Sequence, residues 1–208
     1  MDVTLQWLGH ASLLLRGEKK VIVDPWKLQN PETADVALVT HAHFDHCSPE
    51  DLRKVVGDAT ALIAPADAAA QLDMKARPIK PGQTITVAGV VIEAVPAYNV
   101  NKKFHPKQNA WVGYVITLGG KRIYVAGDTD RTPEMDGVKA DVACLPVGGT
   151  YTMTAEEAAG AANAIQPKLA IPIHFGDIVG ATSDAEKFRK LCRVPVKVLK
   201  PGEIVTLK

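Results

Sequence analysis

Cysteine is scarce: Cys47, Cys144 and Cys192 are the only three in 208 residues, and no two form a C-x-x-C pair. That excludes a disulfide framework and fits reduced thiols in a reducing compartment. Charge of either sign is not in excess, since 24 Lys and Arg face 23 Asp and Glu for a net +1. No broad positive field is available for nucleic acid or for an anionic membrane. No apolar run approaches the roughly 18 residues of a spanning helix, and the start Met1-Asp2-Val3-Thr4-Leu5-Gln6 lacks the basic and apolar segments of a signal peptide. The expectation is a cytoplasmic protein with a small-molecule substrate and no nucleic-acid or membrane partner. Nothing in the sequence fixes its oligomeric state.

What is present describes an ordinary globular chain, 47% hydrophobic and 23% charged with 16 Gly and 14 Pro, read as one domain over residues 1–208. A chain this long buries roughly 70% of its unfolded surface, so a metal is not needed for folding and would serve chemistry. Runs rich in β-branched residues predict strands at Val21–Val23, Val36–Thr40, Ala61–Ala64, Val90–Val95, Trp111–Leu118, Arg122–Ala126, Val142–Leu145, Leu169–Ile173, Val196–Leu199 and Ile204–Leu207. Several lack polar alternation, as strands covered on both faces do. Ser48 with Asp51, Thr154 with Glu157 and Ser183 with Glu186 predict helix starts, giving helices near 49–56, 154–166 and 183–192. Val87-Ala88-Gly89-Val90 and Leu118-Gly119-Gly120-Lys121 predict hairpins. Lys20 to Asp24 followed by Ala34-Asp35-Val36 is echoed by Arg122 to Asp128 followed by Ala140-Asp141-Val142, which fits either a repeated unit or chance. The fold class expected is layered α/β with sizeable antiparallel portions.

Directly after the strand ending at Thr40 comes His41-Ala42-His43-Phe44-Asp45-His46, four potential metal ligands within six residues. Imidazole nitrogen and carboxylate oxygen suit a borderline divalent cation. Residues two apart in an extended turn can face one point while Asp45 and His46 face a neighbouring one, which suggests two metals. His174 and Asp128 each follow an apolar strand, so three strand ends deliver ligand-type side chains, where α/β sheets place their sites. Cys47 is left out because adjacent side chains diverge.

The H-x-H-x-D-H segment, Gly127-Asp128-Thr129 and His174, with Trp7-Leu8-Gly9-His10-Ala11-Ser12 and Val23-Asp24-Pro25, resemble the metallo-β-lactamase superfamily over essentially the whole chain. The similarity is nearest to small single-domain hydrolases of the ascorbate-6-phosphate lactonase branch. The resemblance implies a four-layer αβ/βα sandwich with two mixed sheets and a dinuclear site at their edge. It implies His41 and His43 on one metal, Asp45, His46 and His174 on the other, and Asp128 bridging both. In many relatives a further His stands near position 99, where this chain has Asn99. His105 is the candidate third ligand of the first metal, with a surface loop as the competing reading. Zn²⁺ is the first choice of metal, with Mn²⁺ or Fe²⁺ as alternatives.

Two such ions acidify water for attack on a carbonyl carbon or phosphorus, so no serine or cysteine nucleophile is required. Asp45 is the candidate proton carrier and His10 the candidate substrate contact or acid, with an ordinary turn residue as the alternative for His10. Asp24 either orients a ligating imidazole or merely opens an Asp-Pro turn. Gly148-Gly149-Thr150 and the lysines 102, 103 and 107 offer anion-binding groups, or are a plain connection and a solvated loop. The function expected is hydrolysis of a small ester, lactone or phosphodiester. The rival is a non-hydrolytic metal sensor or redox member of the same fold.

Overall fold

Apolar residues alternate over Val3–Gly9, and the resulting strand β1 buries Val3, Leu5 and Trp7 on one face. The computed structural model describes residues 2–208. After β1 come β2 (Ser12–Arg16), β3 (Lys20–Val23), β4 (Val36–Leu38), β5 (Ala61–Ala64) and β6 (Ala76–Pro78), laid side by side in that order. The second sheet holds β7 (Thr84–Val87), β8 (Val90–Pro96), β9 (Val112–Leu118), β10 (Lys121–Val125), β11 (Val142–Pro146) and β12 (Leu169–Ile173), also in sequence. The last strand, β13 (Ile204–Leu207), returns to pair antiparallel with β1. Both sheets are mixed, as expected.

Pleating explains the layers. Leu13, Leu15, Val21, Val23, Leu38 and Ile63 point toward the second sheet and join its inward residues in one large core. Their neighbours Leu14, Ile22, Ala37, Val39 and Leu62 point the other way and are covered by α1 (Pro49–Val55) and α2 (Ala66–Gln71). Burial of Leu52 and Val55 of α1 in that cluster is worth about 1.5–3 kcal/mol each. Beyond the second sheet lie α3 (Pro133–Asp136), α4 (Ala155–Ile165) and α5 (Thr182–Leu191). The alanines 158, 159, 161 and 162 of α4 let it pack closely. The result is helix, sheet, sheet, helix.

The sequence echo has a structural counterpart. β2 to β5 and β9 to β12 share one connectivity, an antiparallel pair followed by two parallel steps. In the first half Lys20 N donates to Asp35 Oδ2 at 2.8 Å, and in the second Arg122 N donates to Asp141 Oδ2 at 2.9 Å. Both hairpin turns have positive φ at their two central residues, Ala88-Gly89 and Gly119-Gly120.

Several expectations need correction. Val196–Leu199 is not a strand: only Val196 bridges to Ala170, with Pro195, which lacks an amide donor, preceding it. Helix α5 starts at Thr182 with Ala181, not Ser183, at its cap, because Asp184 Oδ2 accepts from Ala181 N at 2.8 Å and fixes the cap two residues earlier. The Ser48 and Thr154 caps form as read, with Thr154 and Glu157 completing a reciprocal pair. The strand read as Val36–Thr40 ends at Leu38, since Thr40 N turns to Asp24 Oδ1 at 2.7 Å. The β7–β8 hairpin forms at Val87-Ala88-Gly89-Val90 as expected, whereas the β1–β2 hairpin, α2, α3 and the edge strand β6 were not anticipated.

Candidate metal centre

Chain turns at one edge of the two sheets bring the ligand-type side chains together. The segment after β4 carries His41, His43, Asp45 and His46, the turn after β10 carries Asp128, and the end of β12 carries His174. The β1–β2 turn supplies His10, and the long connection after β8 supplies His105. Three non-glycine residues with positive φ lie here, His10 at 48°, Asp24 at 46° and His174 at 60°, which is local strain concentrated at one place. At Gly127, φ is +67° and an added Cβ would lie 2.9 Å from the Val112 carbonyl. Only glycine makes that turn and presents Asp128 without a clash.

The distances define two neighbouring sets. His41 Nε2 lies 3.0 Å from His43 Nδ1, and these two form a cluster with His105. Asp45 Oδ2 lies 3.6 Å from His46 Nε2, and both cluster with His10 and His174. Asp128 sits between the sets: its Oδ2 is 3.3 Å from His105 Nε2 and 3.1 Å from His174 Nε2, while its Oδ1 is 3.3 Å from His46 Nε2. All seven expected metal residues therefore converge, together with His10.

The donor set fits divalent cations. Buried Nε2 atoms of His46, His105 and His174, and Oδ1 of Asp128, have no hydrogen-bond partner. Orphaned buried polar atoms are costly unless something pairs with them. Two donors about 2.05 Å from one tetrahedral ion stand about 3.3 Å apart, which matches the separations above. The opposite nitrogens of several rings are already occupied. His46 Nδ1 lies 2.7 Å from Asp24 Oδ2, His41 Nδ1 lies 3.0 Å from Thr40 Oγ1, and His105 Nδ1 lies 3.1 Å from Asn99 Oδ1. Such contacts leave each Nε2 free to face a cation.

Asp24 thus does more than open a turn: its buried carboxylate accepts from Thr40 N, Thr40 Oγ1 and the His46 ring. Asn99 has an equally specific place, accepting from both His105 N and Nδ1 while its amide donates to Asp130 Oδ1 and the Tyr151 carbonyl. Sequence reasoning saw a missing ligand at Asn99 and did not foresee that Asn99 holds the substitute. The hint was a short polar side chain six residues before the ring it supports. His10 Nε2 meets Asp45 Oδ2 at 2.9 Å, and His10 is 4.0 Å from the His174 ring by centroids.

Electrostatics follow burial and charge. Burial holds the pKa values of His41, His43 and His10 below the ordinary imidazole value. Burial also opposes a charge on His46, yet Asp128 and Asp24 outweigh it and raise that ring to about 9. Burial pushes the Asp128 carboxyl up, but His174 and His46 outweigh it and hold the group well below its usual range. Asp45 is lowered in the same way, its burial outweighed by the hydrogen bond from His10 together with the charges of His46 and His10. Without a cation a proton on His46 offsets part of this negative charge, so protons compete with metal for the centre.

Other expected groups are engaged elsewhere. Lys102 Nζ is held by Asp130 Oδ1 at 2.6 Å and Lys107 Nζ by Glu134 Oε1 at 3.0 Å, so neither is a ready anion site. In the glycine turn, Gly149 N donates to Met153 O and Thr150 N to Gly148 O, which uses two of its amides internally. Cys47 turns away to the Ala68 carbonyl, and burial raises its thiol to about 11. Among the described residues no helix is long and apolar enough to cross a membrane.

Comparison with known proteins agrees with this geometry. Residues 4–174 match the model of the beta-lactamase superfamily domain. A UPF0173 metal-dependent hydrolase of Pyrococcus abyssi is 34% identical, with 99% of this chain and all of that protein aligned. A solved protein of Parabacteroides distasonis is 34% identical with a TM-score of 0.86, covering 97% of this chain and 94% of its own. A solved metallo hydrolase from Ignicoccus hospitalis is 25% identical with a TM-score of 0.82, covering 100% and 99%. The chain belongs to the beta-lactamase superfamily, among the UPF0173 metal-dependent hydrolases.

Proposed function

We propose that the protein is a hydrolase with a dinuclear metal centre, acting on a small ester, lactone or phosphodiester. One observation carries the reading: orphaned nitrogens of His46, His105 and His174 converge on the buried Asp128 carboxylate, whose Oδ1 is orphaned as well. In this reading His41, His43 and His105 would hold one cation and Asp45, His46 and His174 the other, with Asp128 available to both. Zn²⁺ suits the nitrogen-rich set, and Mn²⁺ or Fe²⁺ would also be accepted. When bound, the two cations supply Lewis acidity to the scissile bond and bring the pKa of water toward 7.

The side chains do the rest. Asp45 receives the proton of the attacking water and delivers it to the leaving group. His10 donates to Asp45 Oδ2, which directs the other carboxylate oxygen to that task. Asp24, Thr40 and Asn99 fix the ring orientations of His46, His41 and His105. The substrate is a small cytoplasmic molecule. Elemental analysis of the purified protein, run with chromogenic esters, lactones and phosphodiesters, tests this. Two metals per chain and loss of turnover in Asp128→Ala are expected. Unchanged turnover in that variant removes the bridging role.

A further inference from the structure

A cavity of about 660 Å³ lies beside the centre, walled by Trp7, Leu8, Trp26, Phe175, Val198 and Leu199, and by His10. His10 belongs to both places, since its Nε2 meets Asp45 while its ring forms part of the wall. Trp26 connects them as well, 5.0 Å from His10 and 6.1 Å from Phe44 of the ligand-bearing turn. The cavity therefore begins one side chain away from Asp45. Its size suits a small organic molecule.

Its charges are internally matched. Lys27 Nζ pairs with Asp177 Oδ2 at 2.7 Å, and Glu186 with Arg189 at 2.8 Å. Lys200, exposed at the wall, is the one lining cation with no carboxylate within reach among the described residues. Around His105, Lys102 and Lys107 are also paired, leaving Lys103 exposed. Among the described residues, no cluster of unpaired Arg and Lys lines this cavity to favour a phosphate group there.

A separate observation agrees. Three of the segments that carry candidate ligands, those of His41 to His46, His105 and His174, also expose a large apolar side chain: Phe44 at 70%, Phe104 at 39% and Ile178 at 47%. Apolar groups exposed around a site mark the surface that meets an apolar ligand. We propose that the centre hydrolyses neutral carboxylic esters or lactones bearing an apolar chain, and that the cavity beside His10 takes the chain. This rests on the hydrolase reading above and selects among its substrates. In the reaction the water oxygen bonds to the acyl carbon and the acyl C–O bond breaks. One water proton goes to the departing alkoxide and the other to solvent, giving a carboxylate and an alcohol, or one hydroxy acid from a lactone.

The Zn²⁺-loaded full chain is assayed with p-nitrophenyl acetate, butyrate, hexanoate and octanoate, and with bis(p-nitrophenyl) phosphate. The expected kcat/KM rises about two- to threefold per methylene, through KM, because each methylene leaves water. Val198→Trp fills the cavity away from the metal residues. It is expected to lower the octanoate-to-acetate ratio of kcat/KM at least about tenfold, the loss of a few buried methylenes. Leu8→Trp serves the same purpose if Val198→Trp does not fold. Saturation-transfer NMR with 2-decanone reads the cavity without turnover, and its signal is expected to vanish in the filled variant. Metal-dependent turnover that is flat with chain length, or that favours the phosphodiester, overturns the inference and leaves the hydrolase reading standing. With two metals bound and none of the substrates turned over, the hydrolase reading falls and takes the inference with it.

Discussion

At the scale of single residues, the side chains behind the candidate ligands decide whether the centre holds its shape. Asp24 is fully buried and accepts three hydrogen bonds, two from Thr40 and one from the His46 ring. Asp24→Ala strands those donors, so we expect a loss of about 3–5 kcal/mol by urea unfolding of the metal-free protein. Metal titration of the same variant should show affinity down by about 10- to 100-fold. Loss of stability with unaltered metal binding would mean that Asp24 serves the fold alone. Asn99→Ala separates the functions differently, because it frees His105 while leaving His46, His174 and Asp45 untouched. Calorimetric titration is expected to show one of two metals weakened by about 10- to 100-fold and the other retained; equal weakening of both would refute the partition. The ligand-type residues were legible because each follows an apolar strand or sits in a dense His/Asp run. The supports were not, since Asp24 and Asn99 carry no spacing rule and depend on which loop folds back beside them.

Elements were legible where one local force dominated. Buried strands such as β4, β5 and β11 declare themselves by β-branched runs, and α1 and α4 by hydroxyl caps. Edge strand β6 is only three residues, Ala76-Arg77-Pro78, with no β-branched run, β7 (Thr84–Val87) alternates exposed threonines with half-buried Ile85 and Val87 over just four residues, and α2 and α3 are too short for a helical period to emerge. At α1 the cap has a further use. Asp51 accepts from Lys27 N at 2.8 Å and Leu28 N at 3.2 Å, which ties the loop after β3 to the helix. Burial pushes the Asp51 carboxyl up, but the Lys54 hydrogen bond and these two amides outweigh it and hold the carboxyl below its usual value. A depressed folded-state pKa stabilises the protein above the unfolded value of about 3.9, and the gain is lost as pH falls through the folded pKa. The stability difference between wild type and Asp51→Asn should therefore be constant from pH 7 to about 5 and shrink below about 4. Denaturant midpoints across that range measure it, and a gap that widens in acid would contradict the assignment.

At the scale of the whole molecule, the centre joins two similar halves. The first sheet's loops bring His41, His43, Asp45 and His46, and the second sheet's loops bring His105, Asp128 and His174. Strands β3 and β10 occupy matching places in the two halves, and the chain after them delivers Asp24 and Asp128 to the same edge. The two carboxylates then differ in use: Asp24 holds the far nitrogen of His46, whereas Asp128 faces its near one. In the proposed dinuclear reading, cations held by ligands from both sheets would bind the folded chain and not the unfolded one, and so would stabilise the packing of the halves. Two sites at free metal about a hundredfold above Kd add about 5 kcal/mol. For a chain of this length that raises Tm by roughly 10–20 °C. Chelation should lower Tm by that amount, with far-UV and near-UV signals moving together because the ligands span both sheets. Asp128→Ala, lacking the residue common to both sets, should melt at nearly one temperature with and without chelator. A chelator shift preserved in that variant would place the stabilising metal away from Asp128 and separate the centre from the joining of the sheets.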